Sequence, residues 1–512
     1  MLVKTYSAAL HGIEAYTVTI EVNIARGINF FLVGLPDNAV RESQQRIKAA
    51  LKNNDLHFPG KEITINMAPA DLRKEGSIYD LPIAIGILAA SDQVRIDRLE
   101  RFLILGELSL DGTILPAKGV LSMALEASKQ GFEGIILPKA NAAEASLVPH
   151  LKVYGISNLK ELCSFLNEAI SLPSTSCDLD QVLGSIDNSK FSDFSEVRGQ
   201  HQVKRAFEIA AAGAHNILLV GPPGAGKSML AKRLPGILPP LSPQEALECT
   251  RIHSVAGKLS GETGLMTERP FRKPHHTSSD VALIGGGSYP QPGEITLAHH
   301  GVLFLDELPE YKRQALEVLR QPLEDRQIHI SRARFSVEYP ASFMLVAAMN
   351  PCPCGYYNHP DKNCHCSSYS VQKYLNRVSG PLLDRIDLHI EVVPVPYQEL
   401  LQETPGEQSQ SIRQRVLAAR LIQEKRFLSD QRVFSNSQMT NRHLKQHCQL
   451  NDASKELLRT AMDRLGLSAR AYNRILKVSR TIADLDQQEA IGEKHIAEAI
   501  QYRSLDRSNW VK

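Results

Sequence analysis

"LLVGPPGAGKSML", residues Leu218–Leu230, decides how the 512-residue chain is read. A short apolar run enters a glycine-rich turn, Lys227 and Ser228 follow, and a helix-forming stretch runs on to Pro235-Gly236. Gly221, Gly226, Lys227 and Ser228 fit G-x-x-x-x-G-K-[ST], and the motif has its required context, with "NILLV" as the strand before it and "SMLAKRL" as the helix after it. Gly221, Pro222, Pro223, Gly224, Ala225, Gly226, Lys227, Ser228 and Met229 are therefore expected to cradle phosphate. The glycines let backbone N–H groups turn inward, and the helix N-terminus adds a positive field. Lys227 would reach the β- and γ-phosphates of ATP, and the Ser228 hydroxyl would ligate Mg2+.

A phosphate loop of this kind needs a carboxylate on a neighbouring strand, and "GVLFLDEL" ends in Asp306 and Glu307. Asp306 is expected on the Mg2+ side, and Glu307 is expected to polarise the attacking water. A third strand, "MLVAAMN", ends in Asn350, which either orients that water or forms the turn before Pro351. "SGPLLDRIDLHIEV" sets Arg385 before a fourth strand; its guanidinium either neutralises charge on the γ-phosphoryl group or pairs with Asp384 or Asp387. From Phe194 onward strands alternate with helices, which implies a mostly parallel sheet in an α/β core.

On either side the pattern changes. "TVTIEV" (Thr17–Val22) and "EITINM" (Glu62–Met67) alternate as half-buried strands, while "RESQQRIKAALKNN" and "GVLSMALEASKQG" read as helices. Asp111-Gly112 marks a hairpin turn, so the N-terminal part is an α+β domain. Residues 170–193 are rich in Ser, Asp and Asn and read as a linker. Beyond Tyr397, Ile412, Val416 and Ala419, then Leu458, Met462 and Leu465, then Ile496 and Ile500 recur at helical spacing, giving four or five helices. The expected division is 1–169, a linker over 170–193, a core over 194–397 and a helical domain over 398–512.

Composition is that of an ordinary globular protein, 43% hydrophobic and 22% charged, with a net charge of +2. Any nucleic-acid surface must therefore be local, and residues 1–170, with 17 Lys+Arg against 19 Asp+Glu, give no hint of one. The N-terminus lacks a secretory apolar core, and "LPIAIGILAA" is too short to span a bilayer. A cytoplasmic protein without membrane contact is expected, with its eight cysteines as thiols or metal ligands. Four of them, Cys352, Cys354, Cys364 and Cys366, form C-x-C-x9-C-x-C with His359 and His365 inside. Four thiolates suit a structural tetrahedral Zn2+ without an open position; the alternative is reduced thiols in a small loop.

"LEDRQIHISRARFSVEYPASF" lies between the Asp306 and Asn350 strands and reads as a hairpin with Arg332 and Arg334 at its turn. Contacts from such a tip to DNA phosphates would be independent of sequence; a solvated turn is the plain alternative. The glycine-rich "KPHHTSSDVALIGGGSYPQPGEITLAHH", with Lys273, His275 and His276, is expected to supply another loop of this kind.

These motifs, with "VGLPDNAVRES", "AAMNPCPCGYY" and "SARAYNRILKVSRTIADL", resemble those of magnesium-chelatase-like AAA+ ATPases of the ComM/YifB family over essentially the whole chain. The resemblance implies a homo-hexamer with ATP between subunits, Asn350 as sensor 1, Arg385 as a finger acting on a neighbour's nucleotide, Arg470 as sensor 2 on a helical lid and Val197 against the adenine. It implies an ATP-driven DNA motor, a helicase or branch-migration enzyme on single-stranded or branched DNA during natural transformation, with recombination proteins as further partners. The alternative is a chelatase-type ATPase that remodels a protein partner.

"GELSLDGTILPAKGVLSMALEASKQGFEGIILPKAN" is similar to the proteolytic domain of Lon proteases, a domain expected to be foreign to chelatase subunits. In that register Ile78 stands at the nucleophile and Leu121 at the lysine, with Ser77 and Lys118 each out of place. The domain is read as non-catalytic, because misplacing a nucleophile by about 1 Å is expensive.

Overall fold

The structure is a computed structural model and describes residues 1–178, 182, 191–259, 264–287, 290–332, 335–357, 359, 361–395, 406–430 and 433–503, with Arg332 and Phe335 described by backbone alone. Residues 179–181 and 183–190 of the expected linker thus lie outside the described residues, as do Ala333 and Arg334.

The N-terminal domain is built on a seven-stranded sheet: β1 (Leu2–His11), β2 (Glu14–Ala25), β3 (Phe30–Val33), β4 (Glu62–Ala68), β5 (Phe102–Ile104), β6 (Gly134–Pro138) and β7 (Lys152–Ile156), in the order β3-β4-β2-β1-β5-β6-β7. β1 and β2 pair antiparallel from Leu2↔Asn23 to His11↔Glu14 across a two-residue turn. The alternating segments expected as strands fall within β2 and β4, where apolar side chains point alternately into the core. "LPIAIGILAA" belongs to the helix Asp80–Ala90, buried at every position between β1, β2 and neighbouring helices. A helix sealed on all sides carries no polar stripe.

The second sheet holds β8 (Ile217–Val220), β9 (Phe271–Arg272), β10 (Val302–Leu305), β13 (Met344–Met349) and β14 (Leu388–Glu391), all parallel, in the order β9-β10-β13-β8-β14. β8, β10 and β13 are buried along their whole length, which explains their unbroken apolar sequences. β8 lies between β13 and β14, where the order reverses, and crevices at the C-terminal ends of strands at such a point hold ligands. The expected hairpin is present as β11 (Gln327–Arg332) and β12 (Phe335–Pro340), registered from Gln327↔Pro340 to Arg332↔Phe335.

Five helices follow among the described residues: Ser409–Phe427, Asn441–His447, Asp452–Leu465, Ala469–Leu485 and Glu493–Gln501. Ile412, Val416, Ile475, Ile482 and Ile496 share one apolar cluster with Ile217 and Leu219 of β8, so these helices close one face of the second sheet. On another side the helix Pro243–Val255 adds Ala246 and Cys249 to a cluster containing Leu103, Val120 and Ile135 of the N-terminal domain. Gly12, in the β1–β2 turn, lies so close to β12 that a Cβ there would be 2.4 Å from Val337 Cγ1. Arg251 reinforces this junction, with its Nη2 2.6 Å from Glu14.

Candidate nucleotide site

The phosphate loop follows β8 directly. Gly224 and Gly226 have φ of +82° and +87°, a left-handed geometry that glycine adopts without strain, and the helix Lys227–Arg233 begins at once. Gln200, which sequence reading did not single out, fastens the loop from outside: its Nε2 donates to Ala225 O (3.0 Å) and Val393 O (3.3 Å). The Lys227 ammonium is buried and donates to Gly221 O (2.6 Å), Pro222 O (2.9 Å) and Asn350 Oδ1 (3.0 Å). Burial lowers its pKa, and three neutral acceptors leave its charge available to an arriving phosphate. Met229 stays 38% exposed beside the loop.

Ser228 Oγ donates to Asp306 Oδ2 at 2.6 Å, so both oxygens face one point. A hydroxyl and a carboxylate converging beside a buried ammonium fit an Mg2+–nucleotide, whose cation Ser228 and Asp306 would hold. Burial alone would raise the Asp306 carboxyl, but the Ser228 hydrogen bond and the Lys273 ion pair together hold it below its ordinary value. Glu307 follows in the left-handed region (φ +53°), an uncommon conformation for a non-glycine residue and one that concentrates at functional sites.

Lys273 and His276 are placed differently from the expectation. Lys273 Nζ lies 3.0 Å from Asp306 Oδ2 and 5.1 Å from the centroid of Phe304, and His276 Nδ1 lies 3.1 Å from Glu307 Oε2. The segment is fixed by Tyr311, whose hydroxyl donates to Pro274 O (2.7 Å). Lys273 thus lies at the candidate nucleotide site, paired with Asp306. The reason is the two-residue edge strand β9, which carries the chain past β10 and was too short to be legible as a strand.

Val197 is 1% exposed and packs in the core with Phe194 and Phe207, so its side chain is closed to an adenine ring in this structure. Arg385 is buried, paired neither with Asp384 nor with Asp387: Nη1 donates to Pro381 O (2.6 Å) and Nη2 lies 2.5 Å from Glu324 Oε1. Arg470 is exposed in the first turn of the helix Ala469–Leu485.

The four cysteines converge. Sγ of Cys352 lies 3.3 Å from that of Cys354 and 3.7 Å from that of Cys364, Cys354 and Cys364 are 3.6 Å apart, and Cys366 completes a group within 4.8 Å. Tetrahedral zinc with Zn–S bonds of about 2.3 Å sets S···S edges near about 3.8 Å, so the thiols fit that ion. His359 turns away, its Nδ1 accepting from the backbone of Asp361 (3.0 Å) and Lys362 (3.1 Å). Gly355 of this loop (φ +84°) lies against the phosphate loop, where a Cβ would be 2.5 Å from Pro223 Cδ. A second group, Glu248, His299 and His300, is as compact. There His299 Nδ1 accepts the Ser342 N–H (3.0 Å), which puts the ring proton on Nε2 toward Glu248 (3.2 Å) and leaves no lone pair for a metal.

In the N-terminal domain Ser77 and Lys118 line one cavity of about 670 Å3, together with Glu107. The Ser77 hydroxyl donates to Glu107, the Lys118 stem lies against Gly257, and Leu121 is fully buried. A hydroxyl held by a carboxylate has no lysine base, in keeping with a non-catalytic reading.

Residues 193–400 match the family model described as "Magnesium chelatase, subunit ChlI", residues 406–503 that of its C-terminal part, and residues 20–141 "Subunit ChlI of Mg-chelatase". The last match corrects the expectation that the N-terminal domain is foreign to chelatase subunits. The chain is 45% identical to the YifB protein of Escherichia coli, covering 98% of this chain and 97% of that one. It is 46% identical to the competence protein ComM of Haemophilus influenzae (99% and 98%) and 42% identical to the Rv2897c protein of Mycobacterium tuberculosis (98% and 98%). With near-complete coverage of those relatives and the nucleotide site in place, the chain belongs to the magnesium-chelatase-like ComM/YifB family of ATPases.

Proposed function

We propose that the chain is an ATP-driven motor that moves DNA through a ring of identical subunits, a hexamer, during the uptake and recombination of incoming DNA. The observation that carries this reading is the tie between Arg385 and Glu324, since Glu324 sits on the helix Arg320–Asp325 that leads directly into the β11–β12 hairpin. An arginine suited to phosphoryl transfer is thereby linked to the root of the hairpin whose turn, from the sequence, is expected to carry Arg332 and Arg334. Similarity to the competence protein ComM supports the transformation setting, and no helix among the described residues is long and apolar enough to cross a membrane. A cytoplasmic location and contact with recombination proteins belong to the same reading.

Family membership implies ATP and Mg2+, and the bound nucleotide supplies the phosphoanhydride whose cleavage drives the motor. Lys227 would leave its carbonyls for phosphate oxygens, Ser228 and Asp306 would hold the cation, and Lys273 would give up Asp306. Glu307, released from His276, accepts a proton from water that the Asn350 amide orients. Arg385 leaves Glu324 to reach a neighbour's triphosphate, Arg470 adds a second guanidinium from the helical domain acting as a lid, and the Lon-like N-terminal domain serves as a collar. Cys352, Cys354, Cys364 and Cys366 would hold Zn2+, which would brace the loop after Asn350.

The test is ATPase activity with single-stranded and branched DNA. Stimulation that disappears in Arg332→Ala/Arg334→Ala supports the motor; equal turnover with and without DNA overturns it. In that event the chelatase-type reading, favoured by the match of residues 20–141 to a chelatase model, would take its place.

A further inference from the structure

At the strand ends opposite the phosphate loop, the core and the C-terminal helices enclose a cavity of about 290 Å3. Asn216 before β8 and Asp387 before β14 form its floor, and Arg326, Arg474 and Lys477 converge on it beside Glu324. Arg326 caps the helix Arg320–Asp325 and is followed at once by β11. Arg474 and Lys477 follow Arg470 at helical spacings of four and seven, so one face of the helix Ala469–Leu485 carries three cations from an exposed end into the cavity.

The counter-charges are already engaged. Asp387 Oδ1 receives Arg474 Nη1 (2.7 Å), and its Oδ2 faces His215 Nδ1 (3.3 Å) and the Asn216 N–H (3.1 Å). Glu324 is held by Arg385. Among the described residues Arg326 and Lys477 make no ion pair; they donate to Ser342 Oγ (3.2 Å) and Ser437 O (2.8 Å). Burial, with Arg474 adding repulsion against the pull of Asp387, brings Arg326 down to about 10 and Lys477 down to about 8. Half-buried like charges whose hydrogen-bond partners are neutral repel one another until an anion joins them, and a tetrahedral oxyanion is what guanidinium forks and an ammonium bind best.

We propose that this cavity is a second phosphoryl-binding site, separate from the phosphate loop, which takes a phosphate group of a nucleotide or of a nucleic-acid backbone. It rests on the geometry of one chain and does not depend on the ring.

The experiment uses the full chain carrying Lys227→Ala, which silences the phosphate loop, with inorganic pyrophosphate as probe in calorimetry and thermal unfolding at constant ionic strength. Saturable binding, weakened at least tenfold by Lys477→Gln, retained in Lys477→Arg and unchanged by the surface substitution Lys494→Gln, is the expected result. Without ligand, Lys477→Gln should melt at the same temperature as its parent or higher, because it removes a half-buried charge that makes no ion pair among the described residues and is repelled by Arg474. Absence of saturable binding, indifference to Lys477→Gln, or a marked loss of unliganded stability in that variant would each overturn the site. With Lys227 restored, a raised KM for ATP in Lys477→Gln at unchanged DNA affinity identifies a nucleotide as the source. Weaker DNA binding with a salt slope smaller by about one identifies the backbone.

Discussion

Glu324 Oε1 lies 2.5 Å from Nη2 of Arg385, joining the root of the hairpin to the turn before β14. The guanidinium is buried and its Nε has no hydrogen-bond partner, so the carboxylate is its main compensation. Glu324→Gln keeps the shape and removes the charge, loosening the hold by about 1–2 kcal/mol. DNA-independent ATPase activity is expected to rise roughly fivefold, measured as phosphate release. Arg385→Ala should lower kcat by about 10^3 while ATP affinity stays within about threefold, the behaviour of a group that acts on the transferring phosphoryl. A Glu324→Gln chain with unchanged basal turnover would show that the pair is structural only.

His276 and Lys273 make separable predictions. Glu307→Gln should retain ATP and lose at least about 100-fold in turnover. His276→Ala, which frees Glu307, should raise basal turnover. Lys273→Ala removes the cation competing for Asp306, so half-saturation by Mg2+ should occur at lower concentration with DNA affinity unchanged. A fall in DNA affinity at constant Mg2+ dependence would return Lys273 to a DNA loop.

The cysteine loop should be felt at the phosphate loop. Elemental analysis should find one zinc per chain, and Cys364→Ser should lose it and raise the KM for ATP. Gly355→Ala puts a side chain 2.5 Å from Pro223 Cδ in a left-handed backbone, and should weaken ATP binding by about tenfold or more with the metal retained. Metal loss without any change in KM would confine the loop to a local role.

Acid should destabilise the chain in two stages. Burial brings His299 down to about 4, and hydrogen bonds from His299 and His300 hold the Glu248 carboxyl well below its ordinary value. Below about pH 6.5 the unfolded chain binds a proton at His299 that the folded chain refuses, so stability present at neutral pH is lost toward pH 4, about 2 kcal/mol of it between pH 7 and pH 5. Glu248 adds its own loss only below its unfolded value of about 4.3. His299→Gln should flatten the dependence of unfolding free energy on pH by about one proton between pH 6 and pH 5; an unchanged slope would refute the assignment.

The parts of the site that adjoin a strand end in sequence were legible from sequence: Gly221–Ser228 after β8, Asp306 and Glu307 after β10, Asn350 after β13. What escaped were pairings between distant segments. Lys273 meets Asp306 across 33 residues because a two-residue strand carries it there, and periodicity has no purchase on so short an element. Arg385 was weighed against its neighbours Asp384 and Asp387, yet its partner sits on another helix. Val197 matched an expected adenine contact, but an apolar side chain next to Phe194 and Phe207 gains more from the core. The helix Asp80–Ala90 was recognisable only as an apolar run, since a segment buried on every side has no period to read.

The contact between Gly12 and Val337 leaves no slack, not even the width of a methyl group. Under the proposed motor reading, any recoil of the β11–β12 hairpin would push on a stiff seven-stranded plate rather than on solvent. The load at which such a motor stalls would then be set as much by the amino-terminal domain as by the chemistry of the triphosphate.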